Sequence, residues 1–162
     1  MRPTDLARTL VAVIVLVVLQ YTLRPFLGWR ASPDFLVIAL LLVAIRVRPG
    51  TAALLGLVTG LIADSLALHA FGAGALAMTL VGFAASWLKA VFFADDLMLN
   101  ALFFFAGKWA FDVIFLLAEH RLDPGELVVE VLVWSPLKGV VTALFGLLTL
   151  LILRPLLRPA TT

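Results

Sequence analysis

TAALLGLVTGLIADSLALHAFGAGALAMT, residues Thr51 to Thr79, is the stretch that decides the fold. It predicts an apolar helix carrying Gly56, Gly60 and Asp64 at four-residue steps. A glycine-bearing turn (Gly72, Gly74) follows, and then the start of another apolar helix. Residues four apart share a helical face. One face therefore presents two bare backbone patches and then a carboxylate. Such a helix is odd in water and sensible in lipid, where small residues let helices approach and an acid must face protein or water. Two readings of the face stand open. It is a packing seam with Asp64 capping or flanking the turn, or it is a docking face for a partner helix.

Composition agrees with the lipid reading. Of 162 residues, 64% are hydrophobic and 14% charged, against roughly 45–50% and about 25% in soluble domains. One globular core of this size cannot hide that excess, so the chain reads as a single integral membrane domain over residues 1–162. With no cysteine, disulfides and thiolate metal sites are excluded. The net charge of +2 comes from Lys and Arg scattered at segment ends, which argues against a nucleic-acid partner.

Taken in order, the apolar segments predict six spans, near residues 6–23, 33–46, 51–68, 71–93, 96–117 and 136–153. The first follows Arg2 and Arg8 without a cleavage site at its end, and reads as a retained helix rather than a signal peptide. Tyr21 and Trp29 suit an interfacial belt. Ser32-Pro33-Asp34 is a helix start, with serine as cap and proline at the first position. The second span is short and needs thinned lipid or shielding neighbours. Ala75, Thr79, Gly82 and Ser86 form a small-residue stripe on the fourth helix, suited to packing on the third. Asp95-Asp96 opens the fifth. Before the last span, Asp123-Pro124 and Ser135-Pro136 both read as helix starts. They predict a short interfacial helix over 124–134 and then the span; the alternative is one continuous helix kinked at Pro136.

Orientation follows from the basic residues. Arg2, Arg8, Arg46, Arg48, Lys89, Arg154 and Arg158 fall on one side, and Arg24, Arg30 and Arg121 on the other. Both termini are expected in the cytoplasm, with Asp64 in the outer half. Asp64, Lys108, Asp112 and Lys138 are the intramembrane charges, which must pair or reach water. Lys108 and Asp112 can pair along one helix; Asp64 could instead take Lys108 or Lys138 across the bundle. Asp34 and Asp96 are read as caps only. His69 and His120 are isolated, so no metal site is expected. No catalytic motif and no cofactor-binding motif occurs: there is neither GxSxG nor a P-loop nor GxGxxG. Phe103-Phe104-Phe105 reads as lipid-facing surface.

Pro33-Asp34-Phe35-Leu36, then G-L-V-T-G-L-I-A-D-S from Gly56 to Ser65, then F-G-A-G-A-L and T-L-V-G-F between Phe71 and Phe83 form a pattern. It resembles the bacterial rod shape-determining MreD family, most sharply over residues 33–83. The resemblance implies an all-α, six-helix transmembrane bundle similar to the substrate-binding S components of energy-coupling-factor transporters. It also implies a non-catalytic inner-membrane scaffold of the elongation machinery. Its partners would be MreC and, through it, MreB, RodA and a class B penicillin-binding protein, with membrane lipids around it. Gly56, Gly60, Ala75, Thr79 and Gly82 are the expected packing or docking residues. The rival is an S-component-like subunit holding a small molecule in the outer half; a lipid-precursor flippase would want more cavity-facing basic groups than Lys108 and Lys138.

Overall fold

The structure is a computed structural model that describes residues 11, 13–22, 32–66, 72–92, 96–119 and 123–157. Outside the described residues lie the outer parts of several expected spans. So do Trp29, His69, Asp95, His120 and the basic residues Arg24, Arg30 and Arg121. The described residues are helices and short connecting segments, with no strand among them.

We number the helices α1 (Val13–Thr22), α2 (Phe35–Ala44), α3 (Pro49–Leu66), α4 (Ala73–Phe92), α5 (Leu97–Glu119), α6 (Pro124–Val129) and α7 (Ser135–Leu157). Pro49–Leu66, Leu97–Glu119 and Pro124–Ile152 are long and apolar enough to cross a membrane. Val13–Thr22, Phe35–Ala44 and Ala73–Leu88 are shorter apolar stretches.

Helix α2 is the centre. At 1.5 Å per residue its ten residues cover about 15 Å, half of a hydrocarbon core of roughly 30 Å. A helix apolar on every side belongs inside protein, and every residue of α2 except Val43 is buried. It is shielded by its neighbours, with α4, α3, α5 and α7 all packed on it. Its N-cap is Asp34, whose Oδ1 accepts the Val37 N–H at 3.3 Å. The cap is thus not Ser32, because the aspartate reaches the third helical N–H from the helix boundary itself.

Helices α3 and α4 close on each other through glycine. The buried residues of α3 are Ala52, Gly56, Gly60 and Asp64, a strict four-residue stripe. A Cβ on Gly56 would strike the Met78 carbonyl, one on Gly60 the Ala75 backbone, and one on Gly82 would come within 2.8 Å of the Ala52 carbonyl. The two small-residue faces therefore pack on each other, and neither is left open to a partner. Thr79, half-buried, turns its hydroxyl back onto the Ala75 carbonyl at 2.6 Å.

A second glycine seam joins α5 to α7. A Cβ on Gly146 would lie 2.7 Å from the Phe104 ring, and one on Gly139 3.0 Å from Phe105. This corrects the reading of Phe103-Phe104-Phe105 as lipid surface. Phe103 and Phe104 are buried and Phe105 half-buried, because the glycines of α7 leave room for the rings.

The expected separation of a 124–134 helix from the last span is not present. Residues 124–157 run as one helix through a π turn at Glu130–Trp134. The Ser135 N–H donates to the Glu130 carbonyl, five residues back. In that register the Val131 carbonyl faces position 136, which is proline and has no N–H. The Trp109 indole Nε1–H fills the place, 3.2 Å from the Val131 oxygen. The helix passes its proline by widening one turn and borrowing a donor from α5.

Enlarging Gly60 tests the first seam. Gly60→Leu is expected to lower stability by about 1–3 kcal/mol through overpacking. Gly50→Ala, where a Cβ meets nothing within 4 Å, should leave it unchanged. Thermal unfolding of the purified chain in detergent reads both.

Candidate functional site

The buried charged groups of the bundle gather where α2 and α4 begin, where α1 and α3 end, and where α5 and α7 pass. A helix start has N–H groups without intrahelical partners, and at α2 that start is buried. Three elements answer it. Gln20 of α1 accepts the Phe35 N–H at 2.9 Å, and Thr142 of α7 accepts the Asp34 N–H at 3.2 Å. Asp34 accepts the Val37 N–H itself.

The same Asp34 carboxylate reaches α5. Lys108 Nζ lies 2.9 Å from Asp34 Oδ2 and 2.7 Å from Asp112 Oδ1, with all three side chains buried. The ammonium also sits 4.7 Å from the centre of the Phe111 ring, close enough for a cation–π attraction. Lysine and aspartate four apart meet on one helical face; the sequence spacing brings Asp112 to Lys108, and the fold adds Asp34. This corrects the reading of Asp34 as a cap and nothing more. Its one visible hint is an acid placed before a helix too apolar to meet water.

Asp64 pairs with neither lysine. Its Oδ2 accepts the Gly72 N–H at 2.9 Å and the Ala75 N–H at 3.0 Å. The last turn of α3 thus caps the first turn of α4, the end of a helix where a negative charge is favoured. Both glycines of the turn are required. Gly72 has φ +99°, in the left-handed region that glycine adopts freely. A Cβ on Gly74 would collide with Asp64 Oδ1.

Lys138 of α7 is half-buried and held by Glu130 across the π turn at 2.6 Å. Sequence spacing hides this partner, because eight residues along an ordinary α-helix do not place two side chains together as closely as three or four do.

Between these groups lies a cavity of about 760 Å³, lined by Gln20, Asp34, Asp64, Lys108, Asp112 and Lys138 among others. Of the intramembrane charges singled out in the sequence, all four reach it. Gln20, Tyr21, Ser32 and Asp34 are added by the fold. Gly56, Gly60, Thr79 and Gly82 stay in the α3–α4 seam. Among the described residues no group of His, Cys, Asp and Glu is arranged to hold a metal ion.

A family model described as rod shape-determining protein MreD matches residues 4–122. The chain belongs to the MreD family. No curated protein and no solved structure matches it. This MreD protein is thereby a membrane protein that takes part in determining rod shape. The matched segment carries Asp34, Asp64, Lys108 and Asp112, while the π turn, Lys138 and Thr142 lie beyond it.

The ionic cluster makes a clear demand on stability. Removing one partner of a buried ion pair leaves uncompensated charge and costs about 3–5 kcal/mol. Lys108→Met should lower stability by that amount, measured by thermal unfolding in detergent. Adding Asp34→Asn and Asp112→Asn should recover most of the loss, since the charges stranded by the first change are then gone.

Proposed function

We propose that this MreD protein is a non-catalytic scaffold of the elongation machinery, one integral domain in the bacterial inner membrane with both termini in the cytoplasm. In this reading it binds MreC and, through it, joins MreB, RodA and a class B penicillin-binding protein, supporting rod shape and lateral peptidoglycan synthesis. The family match over residues 4–122 carries the reading.

The packing bears on how a partner would dock. The small-residue faces of α3 and α4 are closed on each other, so a partner's transmembrane helix would meet an outward face. Helix α3 offers an open one. Leu54, Val58 and Ile62 are exposed at four-residue steps, opposite a buried side limited to Ala52, Gly56, Gly60 and Asp64. With no hydrophobic drive between helices in lipid, such docking rests on van der Waals fit and on lipid release.

Two measurements check the proposal. The tagged chain is extracted from native membranes in mild detergent and its companions identified by mass spectrometry. MreC, RodA and the transpeptidase are expected; a cytoplasmic ATPase pair in their place would sink the scaffold reading in favour of a transport subunit. For topology, the cysteine-free chain allows single labelling sites. Arg2→Cys and Thr161→Cys should each react with an impermeant maleimide only after the inner membrane is opened. Reaction in intact spheroplasts would reverse the orientation.

A further inference from the structure

Asp112 uses only half of its carboxylate. Oδ1 meets Lys108 Nζ at 2.7 Å, whereas Oδ2 is buried without a hydrogen-bond partner among the described residues. The residue is 8% exposed. Buried polar atoms are nearly always satisfied, so a bare carboxylate oxygen asks for a donor.

The cavity that the residue lines can hold one. Asp112 lines the cavity of about 760 Å³, within the roughly 300–1,000 Å³ of small-molecule sites. Next to Asp112 the wall is apolar: Phe111, Phe115 and Leu116 line it. The two phenyl rings are stacked with centroids 5.8 Å apart. A few polar groups set into an apolar wall is the usual make-up of a ligand site.

Charge decides what enters. The carboxylates of the described lining are Asp34, Asp64 and Asp112, and the ammonium groups are Lys108 and Lys138. Lys108 is shared by two carboxylates, and Lys138 is held by Glu130. Both lysines are already paired with carboxylates, while Asp112 Oδ2 has no donor among the described residues. We propose that the cavity binds a primary ammonium group carried on an apolar body. A turn of the Asp112 side chain brings Oδ2 to the cavity, where the ammonium donates to it, and the hydrocarbon lies along Phe111, Phe115 and Leu116. A free arylalkylamine and a lipid with an ethanolamine headgroup offer the same chemistry. The site is separate from the outward face of α3, so it holds whether or not that face docks a partner.

The test titrates the purified full chain in detergent with 2-phenylethylamine, 2-phenylethanol and 3-phenylpropionate, reading the shift of the thermal unfolding midpoint. The amine is expected to half-saturate at a concentration at least ~10-fold below the alcohol, and the carboxylate to give no shift; tenfold is the scale of one charge-assisted hydrogen bond. Asp112→Asn keeps an oxygen for Lys108 and puts an amide N–H₂ in place of Oδ2. It should weaken the amine about tenfold and leave the alcohol unchanged. Equal responses to amine and alcohol, or a stronger response to the carboxylate, would overturn the proposal. That comparison uses the unaltered chain and decides the matter even if the variant does not fold. Native mass spectrometry from bilayers of equal phosphatidylethanolamine and phosphatidylglycerol separates the sources. Retained phosphatidylethanolamine that 2-phenylethylamine displaces assigns the lipid. Amine binding with no such lipid assigns the free amine, and absence of both overturns the site.

Discussion

The constraint on which the rest of the structure depends is the buried start of α2. A ten-residue helix apolar on every side has to sit inside the bundle. Its first N–H groups then lie where water cannot satisfy them. Gln20 from α1, Thr142 from α7 and the Asp34 carboxylate answer that need. Once Asp34 is buried its charge needs a partner, and Lys108 supplies it. Once Lys108 is buried, Asp112 joins it. Elements far apart in sequence are thus tied by a chain of requirements, each created by satisfying the one before. Such a cluster is a poor source of net stability, because desolvation offsets much of the attraction. Breaking it from one side is nevertheless expensive. It acts as a register device, fixing α5 and α7 against the start of α2.

Around this polar centre the helices hold together by shape. Two glycine seams do the work, α3 on α4 and α5 on α7, and they differ in kind. In the first, backbone meets backbone: Gly56 and Gly60 admit the main chain of Met78 and Ala75. In the second, Gly139 and Gly146 admit the rings of Phe105 and Phe104. Between helices in lipid, close approach is the main source of attraction. That is why small residues fill the contact faces while leucine and valine cover the outside.

The α3–α4 hairpin was legible in the sequence because its logic is local. Gly56, Gly60 and Asp64 repeat at helical spacing, and the glycine turn follows at once. Even so, the two readings of that face are separated only by the close approach of Gly56 and Gly60 to the backbone of Met78 and Ala75, with Asp64 accepting the N–H groups of Gly72 and Ala75. The pair of Lys108 and Asp112 was visible for the same reason, being one turn apart. Asp34 was not, since its partner lies 74 residues away and its capping role already explained it. The glycines of α7 escaped notice because they stand seven apart, and their counterparts are phenylalanines on another helix. Residues 124–157 misled for a physical reason. Ser135-Pro136 starts a helix when the preceding carbonyls face water, and here Trp109 donates to one of them instead.

The π turn links the polar centre to the packing seams. By shifting the register one residue, it brings Glu130 and Lys138 together and lets Trp109 stitch α7 to α5. Seven residues on from Ser135, Thr142 then meets the start of α2. Without the wide turn the α-helical register through Pro136 would leave a carbonyl unpaired, and the face α7 shows to α2 and α5 would rotate by most of one residue, about 100° in an ideal helix. Thr142, Gly139 and Gly146 would then leave their contacts together. The irregular turn is therefore part of how the last helix finds its place. Lys138, which Glu130 of that turn holds, lines the cavity together with Gln20, Asp34, Asp64, Lys108 and Asp112.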